Sequence, residues 1–252
     1  MLLSPELLLA LFVVAAIAGW VDTVAGGGGL LTIPALLLAG APPAAALATN
    51  KLQGSAGTLS ATVYFMRRGQ INWRRMRLPV ATTVVGSAVG AWLVLYLGAA
   101  KLVIYLPILL IGIGLYFLLS PHISDEDRQP LLAPMGFALI ACPLLGLYDG
   151  FFGPGTGSFM CLAFVALAGY NVAKATAHAK LLNFSSNFGS LLYFIVYGDV
   201  LWAVGAVMIL GQLLGALTAS RMVINQGATL VKPVVVTVCF AMSLSLIYPH
   251  VF

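Results

Sequence analysis

Two aspartates, two lysines and two runs of glycine stand at matching positions in an otherwise apolar chain. Asp22 and Asp149 are the acidic residues inside long apolar segments. Each lies a few residues ahead of a glycine-rich break: Gly26, Gly27, Gly28 and Gly29 in one case, and Gly153, Pro154, Gly155, Thr156 and Gly157 in the other. A carboxylate at that depth is costly and faces a cavity or a partner. Burial disfavours its charged form, so such a group can take up and release a proton as access alternates between the two sides. The same residue can instead cap the helix after the break or pair with Lys51 or Lys180, and the sequence leaves both uses open. Glycine permits positive φ and close backbone approach, so successive N–H groups can converge into an anion-binding concavity at a helix N-terminus. In a membrane helix it also serves plain close packing.

The lysines extend the pattern. On a 3.6-residue period Thr176, Lys180, Asn183 and Asn187 share one face, and the matching face elsewhere carries Lys51, Ser55, Thr58 and Thr62. A cationic, amide and hydroxyl stripe on an apolar helix lines a cavity, and a lysine from each side suits an anion. Either lysine alone can also snorkel to the interface from a helix end. Asn50 neighbours Lys51, Gln53 extends the same patch or packs, and His178 precedes Lys180 by two positions. That histidine can shuttle protons or donate to an oxyanion, or it is a satisfied structural group. His122 and His250 receive no role. Cys142, Cys161 and Cys239 lie singly in apolar stretches, which is the pattern of packing rather than of a disulfide or zinc site.

These residues occur in duplicate because the chain does. Residues 20–73 contain VDTVAGGGGLLTIP and ATNKLQGSAGTLSATVYFMRRGQINW; residues 147–202 contain YDGFFGPGTGSF and ATAHAKLLNFSSNFGSLLYFIVYGDVLW. Asp22 aligns with Asp149 and Gly26 with Gly153. After a two-residue insertion Lys51 aligns with Lys180, Tyr64 with Tyr193, Gly69 with Gly198, Trp73 with Trp202 and Gly86 with Gly215. A repeat of this kind, built on broken apolar segments, points to a binding site at the repeat interface.

Composition fixes the surroundings of these elements. The chain is 61% hydrophobic and 8% charged, against roughly 25% charged in a soluble domain, and its mean hydropathy is +1.04. Apolar spans fall at 7–24, 44–66, 78–98, 102–119, 131–148, 176–197, 201–220 and 231–248. Most have the roughly 17–25 residues that cross hydrocarbon as helix. The first span lacks a basic flank and a small-residue cleavage site, so it reads as a retained helix. The net charge of +5 is concentrated at Arg67, Arg68, Arg74, Arg75 and Arg77, which marks a cytoplasmic loop and not a nucleic-acid surface.

Residues 30–39 and 158–168 follow the glycine breaks and are too short to cross upright. They are half-helices from a hairpin tip or short oblique crossings. The basic loop after the first copy has a counterpart at Gly198 with Asp199 and no arginine or lysine, which favours opposite orientations of the two copies. The expected fold is therefore an all-α polytopic membrane protein. It has two homologous, inverted repeats, 1–119 and 131–252, each with four long helices and one short or broken one, joined by a polar linker at 120–130.

GWVDTVAGGGGLLTIP with ATNKLQ, and YDGFFGPGTGSF with ATAHAKLLN, resemble the TSUP family, also called the TauE/SafE or sulfite exporter family of bacterial inner-membrane proteins. The resemblance covers essentially the whole chain and both halves. It is nearest a bacterial branch described only as membrane transporters. It implies movement of small sulfur-containing or other organic anions such as sulfite or sulfonates, without fixing substrate or direction.

The sequence thus leads to a secondary transporter holding a small anion between Gly26, Gly27, Gly28, Gly29, Asn50 and Lys51 of one copy and Gly153, Gly155, Thr156, His178, Lys180, Asn183 and Asn187 of the other. Asp22 and Asp149 are the candidates for coupling to co-transported protons. No cofactor, metal or nucleic acid is expected; the lipid bilayer is the expected surrounding, and a homo-oligomer is compatible with the chain. The rival readings are an uncoupled anion channel using the same donors and an intramembrane enzyme using Asp149, His178 and Lys180.

Overall fold

The computed structural model describes residues 4–98 and 126–226, together with Ile111, Leu115, Pro233 and Thr237. The spans expected at 102–119 and 231–248, the start of the linker and Cys239 lie outside the described residues. All regular structure among the described residues is helical.

Helix α1 (Pro5–Ala25) starts under Ser4, whose Oγ accepts from Leu7 N at 3.4 Å, with Pro5 in the first turn. It ends at Gly26, which takes the left-handed φ of 73° and donates its N–H to Asp22 O at 2.6 Å. A short α2 (Gly28–Leu38) follows, then α3 (Pro43–Arg67) and α4 (Trp73–Leu97). The second half repeats the order: α5 (Pro134–Phe151), short α6 (Thr156–Ala166), α7 (Val172–Tyr197) and α8 (Trp202–Gln226). The helix expected from residue 176 begins four residues earlier because Asn171 caps it, its Oδ1 accepting from Lys174 N at 2.9 Å.

Inside α5 the residues Phe137–Ala141 form a π-helical turn just ahead of Pro143. Proline has no N–H to give to the preceding turn, and the loosened carbonyls find other donors: Thr82 Oγ1 donates to Ala138 O at 2.7 Å from the neighbouring helix.

Among the described residues four helices are long and apolar enough to cross a membrane: Pro5–Ala25, Trp73–Leu97, Pro134–Phe151 and Trp202–Val223. They turn apolar side chains outward, Leu9 being 64% and Leu144 61% exposed, while Lys51 and Lys180 are each 1% exposed. That inside-out distribution suits lipid. Helices α3 and α7 are at least as long, at 25 and 26 residues, but their buried polar stripe lowers their hydropathy. They pack on one another between the outer pairs.

The outer pairs are α1 with α8 and α4 with α5, so the first helix of each half lies on a late helix of the other. Glycine makes the approach close. A Cβ at Gly19 would sit 2.4 Å from Gln212 O, and one at the aligned Gly146 would sit 2.3 Å from Thr83 O. Likewise Gly215 meets Ala16 O at 2.0 Å and the aligned Gly86 meets Pro143 O at 2.2 Å. Each contact recurs with the halves exchanged, in the manner of small-residue packing between membrane helices.

The end of the linker is strapped to the α6–α7 connection. Arg128 N donates to Gly169 O at 2.7 Å, and Asp127 accepts from Asn171 N at 2.8 Å and from Lys174 Nζ at 2.7 Å. Those bonds hold the Asp127 carboxyl below its ordinary value, the Lys174 ammonium contributing most.

Candidate functional site

The two glycine breaks meet at the centre, backbone against backbone. Gly157 N donates to Gly26 O at 3.1 Å, and Ser158 Oγ donates to Ala25 O. A Cβ at Gly26 would lie 2.1 Å from the Gly157 carbonyl carbon, so only glycine permits this approach. The packing use of glycine and the open-backbone use therefore coincide here.

Around this junction the lysines and aspartates pair across the repeats. Lys51 Nζ on α3 lies 2.9 Å from Asp149 Oδ1 at the end of α5 and donates to Asp149 O at 2.5 Å. Lys180 Nζ on α7 lies 3.1 Å from Asp22 Oδ2 at the end of α1 and donates to Asp22 O as well. Each ammonium thus meets both a carboxylate and a carbonyl in the last turn of a helix, where the helix dipole favours positive charge. Asp22 also caps the second piece of its own broken helix, its Oδ1 accepting from Gly28 N at 3.2 Å. In this conformation Asp22 both caps and pairs, whereas Asp149 pairs with Lys51.

Between the pairs lies a polar cavity of about 20 Å³, room for roughly one water. Of the residues singled out in the sequence, Asp22, Gly26, Gly29, Asn50, Asp149, Gly153, Asn183 and Asn187 line it, and Gln53, Gly54 and Gln212 complete the wall. Amides are tied to one another: Thr32 Oγ1 and Gln53 Nε2 donate to Asn50 Oδ1 at 2.6 and 2.9 Å, and Asn187 Nδ2 donates to Asn183 Oδ1 at 2.7 Å. The stripe hydroxyls of Ser55 and Thr58 donate to their own helix, to Lys51 O and Gly54 O. Of the amides expected to form an anion concavity, Gly28 N is engaged by Asp22 and Gly157 N by Gly26. Gly27 precedes α2 and Gly155, with φ 76°, precedes α6; Thr156 Oγ1 donates to Gly153 O at 2.7 Å.

His178 stands apart from this cavity. Its Nδ1 is 2.8 Å from Lys174 O, and its ring packs edge-on to Tyr170 with centroids 4.9 Å apart. Tyr170 and Phe164 in turn line a larger cavity of about 630 Å³, bordered by Arg75, Arg128 and Lys174 at the end that carries the arginine loop.

Gln212 was not singled out from sequence. Its signal is a lone amide inside the apolar span 201–220, aligned with Thr83 of the first half. Its side chain fills the space a Cβ at Gly57 would need.

Known proteins resemble the chain over nearly its whole length. Residues 11–246 match the family described as "Sulfite exporter TauE/SafE". The chain is 56% identical over 247 residues to "Probable membrane transporter protein YfcA" of Escherichia coli strain K12, covering 98% of this chain and 92% of that protein. It is 48% identical over 243 residues to a "Probable membrane transporter protein" of Haemophilus influenzae, covering 96% and 95%. It is 49% identical over 246 residues to "Probable membrane transporter protein ORF9" of a Sinorhizobium species, covering 97% and 94%.

Proposed function

The chain belongs to the sulfite exporter TauE/SafE family, a multi-pass transporter of the bacterial inner membrane and not an enzyme, and from that premise we propose a secondary carrier of small anions driven by protons. Sulfite is the anion that the family description names, and organic sulfonates present a similar small sulfur-centred oxyanion.

The observation that carries this reading is the reciprocal pairing of Lys51 with Asp149 and Lys180 with Asp22. Two ammonium and two carboxylate groups sum to no net charge, so an anion entering alone would leave a buried uncompensated charge. A proton arriving with it removes that cost. Protonation neutralises an aspartate, frees its lysine, and the lysine binds the anion in the aspartate's place. Reversal on the other side releases both, and the ion pair closes again over an empty site. In the conformation described the pairs are closed and the cavity admits little more than a water, as expected of a resting, occluded state.

The exchange of helix contacts between halves supports two repeats, 1–119 and 131–252 joined by 120–130, and the arginine loop set against a counterpart with Asp199 and no arginine or lysine supports their opposite orientation. Single cysteines at Arg68 and Asp199, in a background without the native cysteines, test it: labelling from opposite sides agrees, and labelling of both from one side contradicts it. The anion reading is tested by counterflow of labelled sulfite, thiosulfate and sulfoacetate in proteoliposomes. Protein-dependent exchange of one of them is the expected result. A conductance that ignores an imposed proton gradient would instead indicate an anion channel.

A further inference from the structure

The two repeats do not use their aspartates alike. Both carboxylate oxygens of Asp22 are engaged, Oδ1 by Gly28 N at 3.2 Å and Oδ2 by Lys180 Nζ at 3.1 Å. Asp149 Oδ1 has Lys51 Nζ at 2.9 Å, but among the described residues no hydrogen-bond donor reaches Asp149 Oδ2.

The sequence supplies the cause. In the first break four glycines let the chain turn at Gly26 and present Gly28 N–H back to the aspartate. The second break reads Gly-Pro-Gly. Pro154 has no N–H, and Gly153 and Gly155 both take positive φ, 95° and 76°, which redirects the backbone so that α6 starts at Thr156. The amide aligned with Gly28 N belongs to Gly155 and does not reach the Asp149 carboxylate.

Among the described residues Gln53 Oε1 and Gln212 Oε1 are also buried without a donor, and both residues wall the same cavity as Asp149. All three residues are 1% exposed. Among the described residues, three that wall one small cavity each carry a buried oxygen with no donor, an arrangement short of a hydrogen. Resting on the reading of this protein as a proton-driven carrier, the geometry points to Asp149 as the group that carries the coupled proton, on Oδ2 in the pocket it shares with Gln53 and Gln212, and to Asp22 as a fixed cap and counter-ion.

The step balances simply. A proton from one aqueous side adds to the Asp149 carboxylate, and the new O–H can donate to an amide oxygen of the cavity wall. Lys51 is thereby released to the anion. On the other side the O–H bond breaks, its electron pair stays on Oδ2, the proton and anion leave, and the ion pair with Lys51 re-forms. The charged groups around Asp149 are Lys51 from α3, with Asp22 from α1 and Lys180 from α7 in the adjoining pair; α4 and α8 bring neutral Ser87 and Gln212.

The test is pH-difference infrared spectroscopy of the purified protein in liposomes, with no substrate present. The native protein is expected to gain, as pH falls, a high-frequency protonated-carboxyl C=O band of a buried acid, above the bands of exposed carboxyls such as Asp127, absent from D149N and retained in D22N. Q212L and Q53L, which remove the acceptors and leave the carboxyl in place, are expected to shift the band's frequency, so the assignment stays open to test even if D149N folds poorly. A band that survives in folded D149N, or that disappears with D22N instead, overturns the proposal. So does a pH-independent native spectrum that responds to sodium, which would give the same oxygens to a metal cation. Because no anion is needed, this result stands or falls apart from the anion reading, which fails separately if labelled sulfite, thiosulfate and sulfoacetate show no counterflow.

Discussion

Lys51 Nζ lies 2.9 Å from Asp149 Oδ1 although the two residues belong to different repeats, and its counterpart Lys180 makes the same contact with Asp22 in the opposite direction. Neither half of the chain neutralises its own buried charges. The site therefore exists only where the halves meet.

Removing one partner leaves the other charge buried and unpaired, a cost of ~3–5 kcal/mol. Lys51→Ala is expected to destabilise the purified protein by about that much, and Lys51→Ala with Asp149→Ala by clearly less. Thermal unfolding in detergent, arranged as a double-mutant cycle, measures the difference. A double-variant loss equal to the sum of the losses in Lys51→Ala and Asp149→Ala would mean the pair is not coupled.

Both breaks depend on backbone contact. A Cβ at Gly157 would lie 2.3 Å from Gly26 Cα, whereas one at Gly29 would lie 3.3 Å from the Asn50 side chain, which can shift. Gly157→Ala is therefore expected to cost ~1–3 kcal/mol by overpacking, with Gly29→Ala milder. The comparison is read from melting temperature and from the yield of monodisperse protein.

The linker strap should be acid-sensitive. Asp127 has a folded-state value below its ordinary 3.8, because Lys174 and Asn171 bond its charged form. Its contribution is present above that ordinary value and lost as pH falls through the lower folded one. The pair is half exposed, so the contribution is below ~1 kcal/mol. Lower amide-exchange protection factors at Arg128 and Asn171 in acid, reproduced at neutral pH by Asp127→Asn, are the expected observation.

Much of this was legible in the sequence because it was written twice. The glycine breaks, the short helices and the polar faces of α3 and α7 follow from spacing and composition alone. Which lysine meets which aspartate did not follow. Spacing along one helix gives a face, but the partner of that face depends on how the halves pack, and here packing crosses the repeats. The role of Gln212 was hidden for the same reason, since a lone amide in an apolar span gains meaning only when Gly57 and the cavity are placed beside it. His178 looked close to Lys180 in sequence, yet two residues along a helix turn the side chain to another side, toward Tyr170. The difference between Asp22 and Asp149 arises from Pro154 and the φ values around it, which turn a near-repeat in sequence into unlike hydrogen bonding.

The central claim is that an anion is carried with a proton because both compete for the cross-repeat ion pairs. The most direct measurement loads a pH-sensitive dye into proteoliposomes and adds sulfoacetate outside, since its sulfonate stays ionised and cannot slip through lipid as a neutral acid. The account predicts acidification of the interior that requires the protein, scales with sulfoacetate uptake, and is abolished in Lys51→Ala with Lys180→Ala at normal protein abundance. Anion uptake with no proton movement, or uptake undiminished without both lysines, would contradict it.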